Sequence, residues 1–388
     1  MEENPVHPFR ARHSVQEHIS GNSIEHPPSM PRTKSSFLIT ILAVALFSSQ
    51  AVFSKAGVQS FASLPKPVSV TWTGSAFIAS SRDGITKLVN VGIDGSVQPF
   101  ATSFTGEGEV YVAVSPEQAG FPAGELFLCS GDSVYEVDSS GASAKLFSTP
   151  AKGTTINFLA FDNDGSWGFL LYALGTGGQL WAIDPSGRAN LVTNLGAGLT
   201  PEGIAVAPPA FGKFAGDMLV SMEGSHSVVA IPRSDPSNFT TLANFPGEAP
   251  ERVMLIPANS DLFLAKYDQG VIVRMNSSAF SGYAGSILVI TEGEAGQTGS
   301  INVLTANGSN VTVAKVFQDP ASPHFEGAAF IPTQLATAVI TTSTGVTTST
   351  GVPASTLYAG LATAAVAVVV AVVLAYEGVW GKQRRSAS

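Results

Sequence analysis

Three heptapeptides decide how this chain folds: EGIAVAP at 202–208, ERVMLIP at 251–257 and EGAAFIP at 326–332. Each opens on glutamate, runs through mostly small or apolar residues and closes on proline. Looser copies begin at Glu109 (EVYVAVSP) and Asn157 (NFLAFDN). Short apolar runs closed by a turn residue have the pattern of fully buried strands. A second kind of run recurs as SAFIASS from Ser75, GELFLCS from Gly124, GFLLYAL from Gly168, GDMLVSM from Gly216, SDLFLAK from Ser260 and GSILVIT from Gly285. A third recurs as KLVNVG from Lys87, SVYEVD from Ser133, QLWAID from Gln179, SVVAIP from Ser227, GVIVRM from Gly270 and SINVLT from Ser300. Hairpin-forming turns, such as Asp94-Gly95 and DPSG at 184–187, then precede a fourth run.

Four short strands in a unit of about 45 residues make a propeller blade. The chain is therefore expected to be all-β, a six-bladed β-propeller over 68–332. Irregular spacing between Asp268 and Gly285, where a fourth strand is missing or merged, leaves five or seven blades open. EGAAFIP is a first strand with no followers. It is expected to become the innermost strand of the repeat that starts near Ser75, so that both chain ends close the ring in one blade and leave no free sheet edge.

If the repeats align in this way, Glu109, Asn157, Glu202, Glu251 and Glu326 all begin innermost strands and point to one mouth of the central tunnel, with His324 beside them. Carboxylates gathered there repel one another unless a cation intervenes, and a hard cation such as Ca²⁺ takes six to eight oxygen ligands. The alternatives are structural capping of strand starts, pairing with Arg252 or Lys152, and a catalytic acid or base. Cys129 sits in an apolar run and reads as a small core residue. DNDG at 162–165 lacks the downstream glutamate of a Ca²⁺ loop and reads as a turn. Trp72, Trp167 and Trp181 read as packing residues. No nucleophile elbow, zinc-protease, CxxC or phosphate-loop motif occurs.

The strings PEGIAVAP and FEGAAFIP, with the GELFL and GDMLV strands, resemble the six-bladed propellers of the NHL, senescence-marker-protein/gluconolactonase and strictosidine-synthase-like group. The resemblance covers about 68–332 and concerns architecture. In the gluconolactonase-like members a Glu of an EG motif, with Asn and Asp from other blades, binds a divalent cation. What this implies here is a metal site at Glu202, Glu326 and Asn157, without a match for the remaining Asn and Asp ligands.

Composition narrows the function classes. Of 388 residues only 13% are charged and 44% are hydrophobic, with 39 glycines and a formal net charge of −9. No basic cluster lies in the central region, which excludes a nucleic-acid-binding surface. The single cysteine excludes an intramolecular disulfide. Residues 1–36 read as a disordered tail, with Met30 as an alternative start. Residues 37–56 contain FLITILAVALF after Arg32 and Lys34 and read as a signal peptide or anchor. Residues 333–356 form a Ser/Thr-rich stalk in which TTSTGV occurs twice. Residues 357–376 carry no charge and are long enough to span a bilayer, and the basic tail at 377–388 is expected to stay cytoplasmic. Four sequons, at Asn238, Asn276, Asn307 and Asn310, fit an exported glycoprotein. The expected protein is a membrane-anchored, extracytoplasmic propeller that binds an unknown ligand or protein and no nucleic acid. The alternatives are a metal-dependent, gluconolactonase-like hydrolase using the glutamate ring, and a structural cell-surface protein.

Overall fold

The computed structural model describes residues 57–338 except 119, 294–297 and 322–323. Its first strand is β1 (Val58–Ser63). The first blade follows as β2 (Pro67–Trp72), β3 (Phe77–Ser81), β4 (Lys87–Val91) and β5 (Val97–Phe100). The second is β6 (Val112–Val114), β7 (Leu126–Ser130), β8 (Ser133–Val137) and β9 (Ala144–Ser148). The third is β10 (Ile156–Phe161), β11 (Leu171–Gly175), β12 (Gln179–Ile183) and β13 (Ala189–Asn194). The fourth is β14 (Pro201–Val206), β15 (Met218–Met222), β16 (Ser227–Ile231) and β17 (Thr240–Asn244). Strand order in these four sheets follows chain order. Second strands such as β3, β7 and β15 are buried at every position, while fourth strands such as β9 and β17 are mostly exposed or half-buried, with one buried residue each. That is the pattern of sheets packed face to face around an axis, with one free outer rim.

The last two blades are interleaved. β18 (Glu248–Leu255) starts the fifth blade, but the chain then crosses to the sixth and makes the hairpin of β19 (Ser260–Lys266) and β20 (Val271–Met275). It returns to the fifth as β21 (Ile287–Gly293), β22 (Ser300–Asn307) and β23 (Asn310–Gln318), and ends in the sixth as β24 (Phe325–Pro332). The sheet orders are β18-β21-β22-β23 and β1-β20-β19-β24. Six four-stranded sheets result, so the blade number is six.

Two expectations are corrected by this topology. EGAAFIP does not serve the repeat at Ser75: β24 pairs with β19, and the Ser75 repeat has its own innermost strand in β2. PVSVTW of β2 is a buried apolar run that simply lacks the opening glutamate. The fourth strand missing after Met275 is β1, which pairs Val58 with Met275 and Ser63 with Val271. The two ends of the propeller do meet in one blade, β1 as its outermost and β24 as its innermost strand. Phe61 of β1 secures the closure, its ring 4.6 Å from Phe263 of the same blade and 5.7 Å from Phe77 of the next.

Buried charges mark which hairpin belongs to which inner strand. In the sixth blade, Asp261 accepts hydrogen bonds from Arg274 Nε at 2.8 Å, from the Ser277 amide at 2.8 Å and from Thr333 Oγ1 at 3.1 Å. In the fifth, Glu248 accepts from Thr291 Oγ1 at 2.7 Å, Ser300 Oγ at 2.6 Å and Lys315 Nζ at 2.5 Å. A mispaired hairpin would leave Glu248 buried and unpaired, which costs several kcal/mol, whereas Asp261 would keep Arg274 and Ser277 and lose only Thr333.

The glycine of each EG pair lies where neighbouring innermost strands come closest. A Cβ on Gly327 would stand 2.5 Å from Val68 O, and one on Gly203 would stand 2.9 Å from Glu251 O. Both obstacles are backbone, so no side-chain rearrangement relieves them. Among the described residues no helix is long and apolar enough to cross a membrane. The segments 37–56, 357–376 and 377–388, and nearly all of the stalk, lie outside those residues.

Gly327→Val is expected to destabilise the propeller by about 2 kcal/mol through overpacking, read by chemical denaturation. A change below about 0.5 kcal/mol, the usual range of a surface substitution, would mean the strands do not approach this closely.

Candidate functional site at the tunnel mouth

The innermost strands all start at one end of the tunnel, and five of them carry a register shift near that start, in β2, β10, β14, β18 and β24. The residues opened by these shifts include Val68, Asn157, Glu202, Glu251 and Glu326. A bulge leaves one residue out of the ladder and re-aims its side chain, a device common beside functional sites. Second strands run antiparallel to these, so their last residues reach the same mouth. Arg82, Thr176, Glu223 and Tyr267 each donate a backbone N–H to Lys66, Thr155, Thr200 and His324, two residues before a shifted position. Glu292, at the end of β21, occupies the corresponding place in the fifth blade.

The result is an acidic mouth that includes Glu109, Glu202, Glu223, Glu251, Glu292 and Glu326. Glu326 is buried; its Oε2 accepts from Tyr111 Oη at 2.8 Å and its Oε1 lies 2.7 Å from His324 Nε2. His324 Nε2 also lies 3.0 Å from Glu292 Oε2, and the His324 ring stacks on Tyr267 at 4.6 Å. Asn157 Nδ2 donates to Glu202 Oε1 at 2.7 Å and to Pro201 O at 3.0 Å. Asn157 Oδ1 and Glu202 Oε2 are buried without a hydrogen-bond partner among the described residues. Glu109 pairs with Arg82 at 2.7 Å. The tightest carboxylate group is Glu223, Glu251 and Glu292, whose oxygens all lie within 4.8 Å of one another.

Burial and mutual repulsion set the protonation of this cluster. Glu202 and Glu251 are raised well above the ordinary carboxylate range, first by burial and then by the neighbouring glutamates. Glu326 is pushed up to about 7 by burial, against the opposing hydrogen bond from His324. Burial alone would lower His324, but its bonds to Glu292 and Glu326 raise it to about 11. Tyr111 is raised well above its ordinary value by burial and by the charges around it.

All six residues expected at the mouth, Glu109, Asn157, Glu202, Glu251, His324 and Glu326, are on it. Their partners are not those read from sequence. Among the described residues neither Arg252 nor Lys152 pairs with the glutamates: Arg252 lies over the Phe158 ring at 5.0 Å, and Lys152 is exposed near Asp132. Of the expected metal ligands Asn157, Glu202 and Glu326, the last is taken up by Tyr111 and His324, whereas the closest carboxylate trio adds Glu223 and Glu292 to Glu251. Sequence reading missed Tyr111, Glu223 and Glu292. A signal existed for the two glutamates: Glu223-Gly224 just after β15 and Glu292-Gly293 at the end of β21 stand at the same point of the repeat.

Elsewhere, the DNDG segment is a turn: Asp162 Oδ2 accepts from the amides of Trp167 at 2.7 Å and Phe169 at 2.9 Å. Cys129 is buried, with its thiol pushed up to about 12, and has no reactive character. Trp167 and Trp181 are buried, and Trp72 packs edge-on to Phe77 at 5.1 Å. Asn238, Asn307 and Asn310 are exposed, while Asn276 is half-buried.

Fold and site together define the class, a six-bladed β-propeller with an acidic tunnel mouth. No family model matches the chain, and no curated protein matches it. Similar solved structures include a streptogramin B lyase, with a TM-score of 0.44 and 10% identity over 69% of this chain and 75% of that one. A gluconolactonase from Xanthomonas campestris has a TM-score of 0.40 and 13% identity over 68% of this chain and 92% of its own. A calcium-binding protein, regucalcin from Agrobacterium tumefaciens, has a TM-score of 0.41 and 12% identity over 66% and 74%. At such identities the likeness concerns the fold alone.

The pH dependence of stability follows from these groups. A raised pKa means that the folded state holds a proton which the unfolded chain has lost. For Glu326 the window runs from 4.5 to about 7, and for His324 from 6.5 to about 11. Both make stability fall as pH rises. Without divalent cations, the melting temperature of the propeller is expected to decline from about pH 5 to about pH 8. Glu326→Gln should flatten the lower part of that slope; a melting temperature that climbs over the range would contradict the assignment.

Proposed function

We propose that this chain is a ligand-binding propeller whose site is the acidic tunnel mouth, completed by a divalent cation such as Ca²⁺. One observation carries the reading. Glu223, Glu251 and Glu292 place their oxygens within 4.8 Å of one another, and among the described residues His324 pairs with Glu292 and Glu326 while no basic side chain pairs with buried Glu251. Gathering carboxylates in this way is unfavourable without positive charge between them. The donor set is all oxygen, which suits a hard cation. The unpartnered Glu202 Oε2 and Asn157 Oδ1 add acceptors on the same mouth. Glu251 with Glu223 and Glu292 would hold the ion, which would neutralise them and offer its remaining coordination positions to oxygens of a ligand entering from solvent.

A hydrolase is the second reading, and Glu326 favours it. A buried carboxyl titrating at about 7, hydrogen-bonded by Tyr111 and His324, is poised to give or take a proton near neutrality. In that case a lactone or ester would be the substrate class, with the cation polarising its carbonyl. Glucono-δ-lactone hydrolysis, dependent on added Ca²⁺ and lost in Glu326→Gln, separates this reading from binding alone.

The same proposal places the propeller outside the cytoplasm, held by 357–376 through the 333–356 stalk, with the basic tail inside. Exposure of the Asn238, Asn307 and Asn310 sequons supports it. Protease added to intact cells is expected to remove the propeller, and truncation before Leu357 is expected to release it to the medium. Protection of the propeller in intact cells would refute the placement.

Saturating Ca²⁺ is expected to stabilise the purified propeller, by about 2.7 kcal/mol at a hundredfold excess over its dissociation constant. Chelation should reverse the effect, and Glu251→Gln and Glu292→Gln should each abolish it. A melting temperature indifferent to Ca²⁺, Mg²⁺, Mn²⁺ and Zn²⁺ would remove the cation from the site.

A further inference from the structure

The tunnel has a second mouth, where the innermost strands end. A cavity of about 360 Å³ opens there, at the lower end of the range for small-molecule sites. Its wall exposes polar and apolar surface in about equal measure, the apolar part including Val112, Leu159, Phe161, Ile204 and Trp72. Arg252 lies in the lining as well. Its guanidinium is seated over the Phe158 ring at 5.0 Å, and its buried Nε has no hydrogen-bond partner. Among the described residues no carboxylate is paired with it. Burial lowers Arg252 only to about 10, so it is charged at neutral pH.

A charged guanidinium with a buried, unpaired N–H is expensive to hold in a folded protein. An anion that enters the cavity removes that cost, and a carboxylate matches the fork of the guanidinium. The apolar side chains of that wall suit hydrocarbon or aromatic surface on the remainder of such a ligand. Asp164 lines the same cavity and disfavours anionic charge beside it, but its carboxylate is engaged by the Ser166 amide at 2.8 Å. The negative group of the ligand therefore belongs on Arg252 and the apolar body along the strand ends. We propose that this strand-end cavity binds a small organic anion, a carboxylate on an apolar body, with Arg252 as its anchor. The site is separate from the acidic mouth, and its occupancy needs no divalent cation.

The test uses 4-phenylbutyrate and its neutral analogue 4-phenylbutanamide, titrated into the protein in the presence of a chelator and followed by calorimetry and by the fluorescence of Trp72. The acid is expected to bind saturably with one site per chain, and the amide at least tenfold more weakly. Arg252→Met should weaken the acid at least tenfold and bring acid and amide to the same affinity, whereas Arg252→Lys should keep part of the preference. Ala160→Leu, which narrows the cavity without touching the charge, should weaken both probes, and it keeps the test decisive if the Arg252 variants fold poorly. Absence of saturable 4-phenylbutyrate binding, equal affinity for acid and amide, or undiminished binding after Ala160→Leu would overturn the proposal.

Discussion

Strands that start at the same end of one axis must bring their first side chains together, and most of this molecule follows from that crowding. Adjacent innermost strands approach until only a hydrogen fits on Gly203 and Gly327. The register shifts at Asn157, Glu202, Glu251 and Glu326 then release one side chain per strand from the ladder. Four polar side chains, three of them acidic, emerge in one place, and second strands add Glu223 and Glu292. What would be an ordinary solvated carboxylate on a rim becomes, on the axis, a buried group that resists ionisation. Tyr111 and His324 answer part of that demand at Glu326; nothing described answers it at Glu251.

The parts of this arrangement that were legible in the sequence are those in which one physical task recurs. The opening glutamate repeats at the bulges of blades four, five and six, with glycine behind it where two innermost strands approach closely at Gly203 and Gly327, so it betrayed both the inner strands and the ring of glutamates. β2 escaped notice because its blade places Val68 where others place an acid, leaving PVSVTW without the marker. β1 escaped because VQSFAS is an exposed outer strand with no repeated letter, and its pairing to Val271–Met275 spans most of the chain. The exchange between the last two blades was invisible for a different reason. The strands SDLFLAK and GSILVIT have the same pattern, so neither states which inner strand it will join. Glu248 decides it through Thr291, Ser300 and Lys315, which become its neighbours only after folding.

Glu251 and Arg252 show how finely the tunnel is divided. They are consecutive in sequence, yet Glu251 joins Glu223 and Glu292 at the mouth while Arg252 turns onto Phe158. Phe158 in turn packs on Tyr111 with ring centroids 5.0 Å apart, and Tyr111 reaches Glu326. These contacts connect blades two, three, five and six, which are not all neighbours, so they cross the axis. A layer of Tyr111, Phe158 and Arg252 therefore lies between the acidic mouth and the strand-end cavity. The acidic mouth and the guanidinium of Arg252 lie on opposite sides of that layer.

The interleaving of the last two blades also governs the order in which the protein can be assembled. As the chain is synthesised, β18 emerges well before its own partner β21, and the β19–β20 hairpin appears before β24 exists to receive it. β1, made first, finds its place only after Met275 has been made. The sixth sheet is finished only when β1 and β24 both reach the β19–β20 hairpin, a late closure built on distant pairings, the kind of step that is slow and exposes unsatisfied edges. Whatever handles the nascent polypeptide has to shield those edges until its earliest strand is captured.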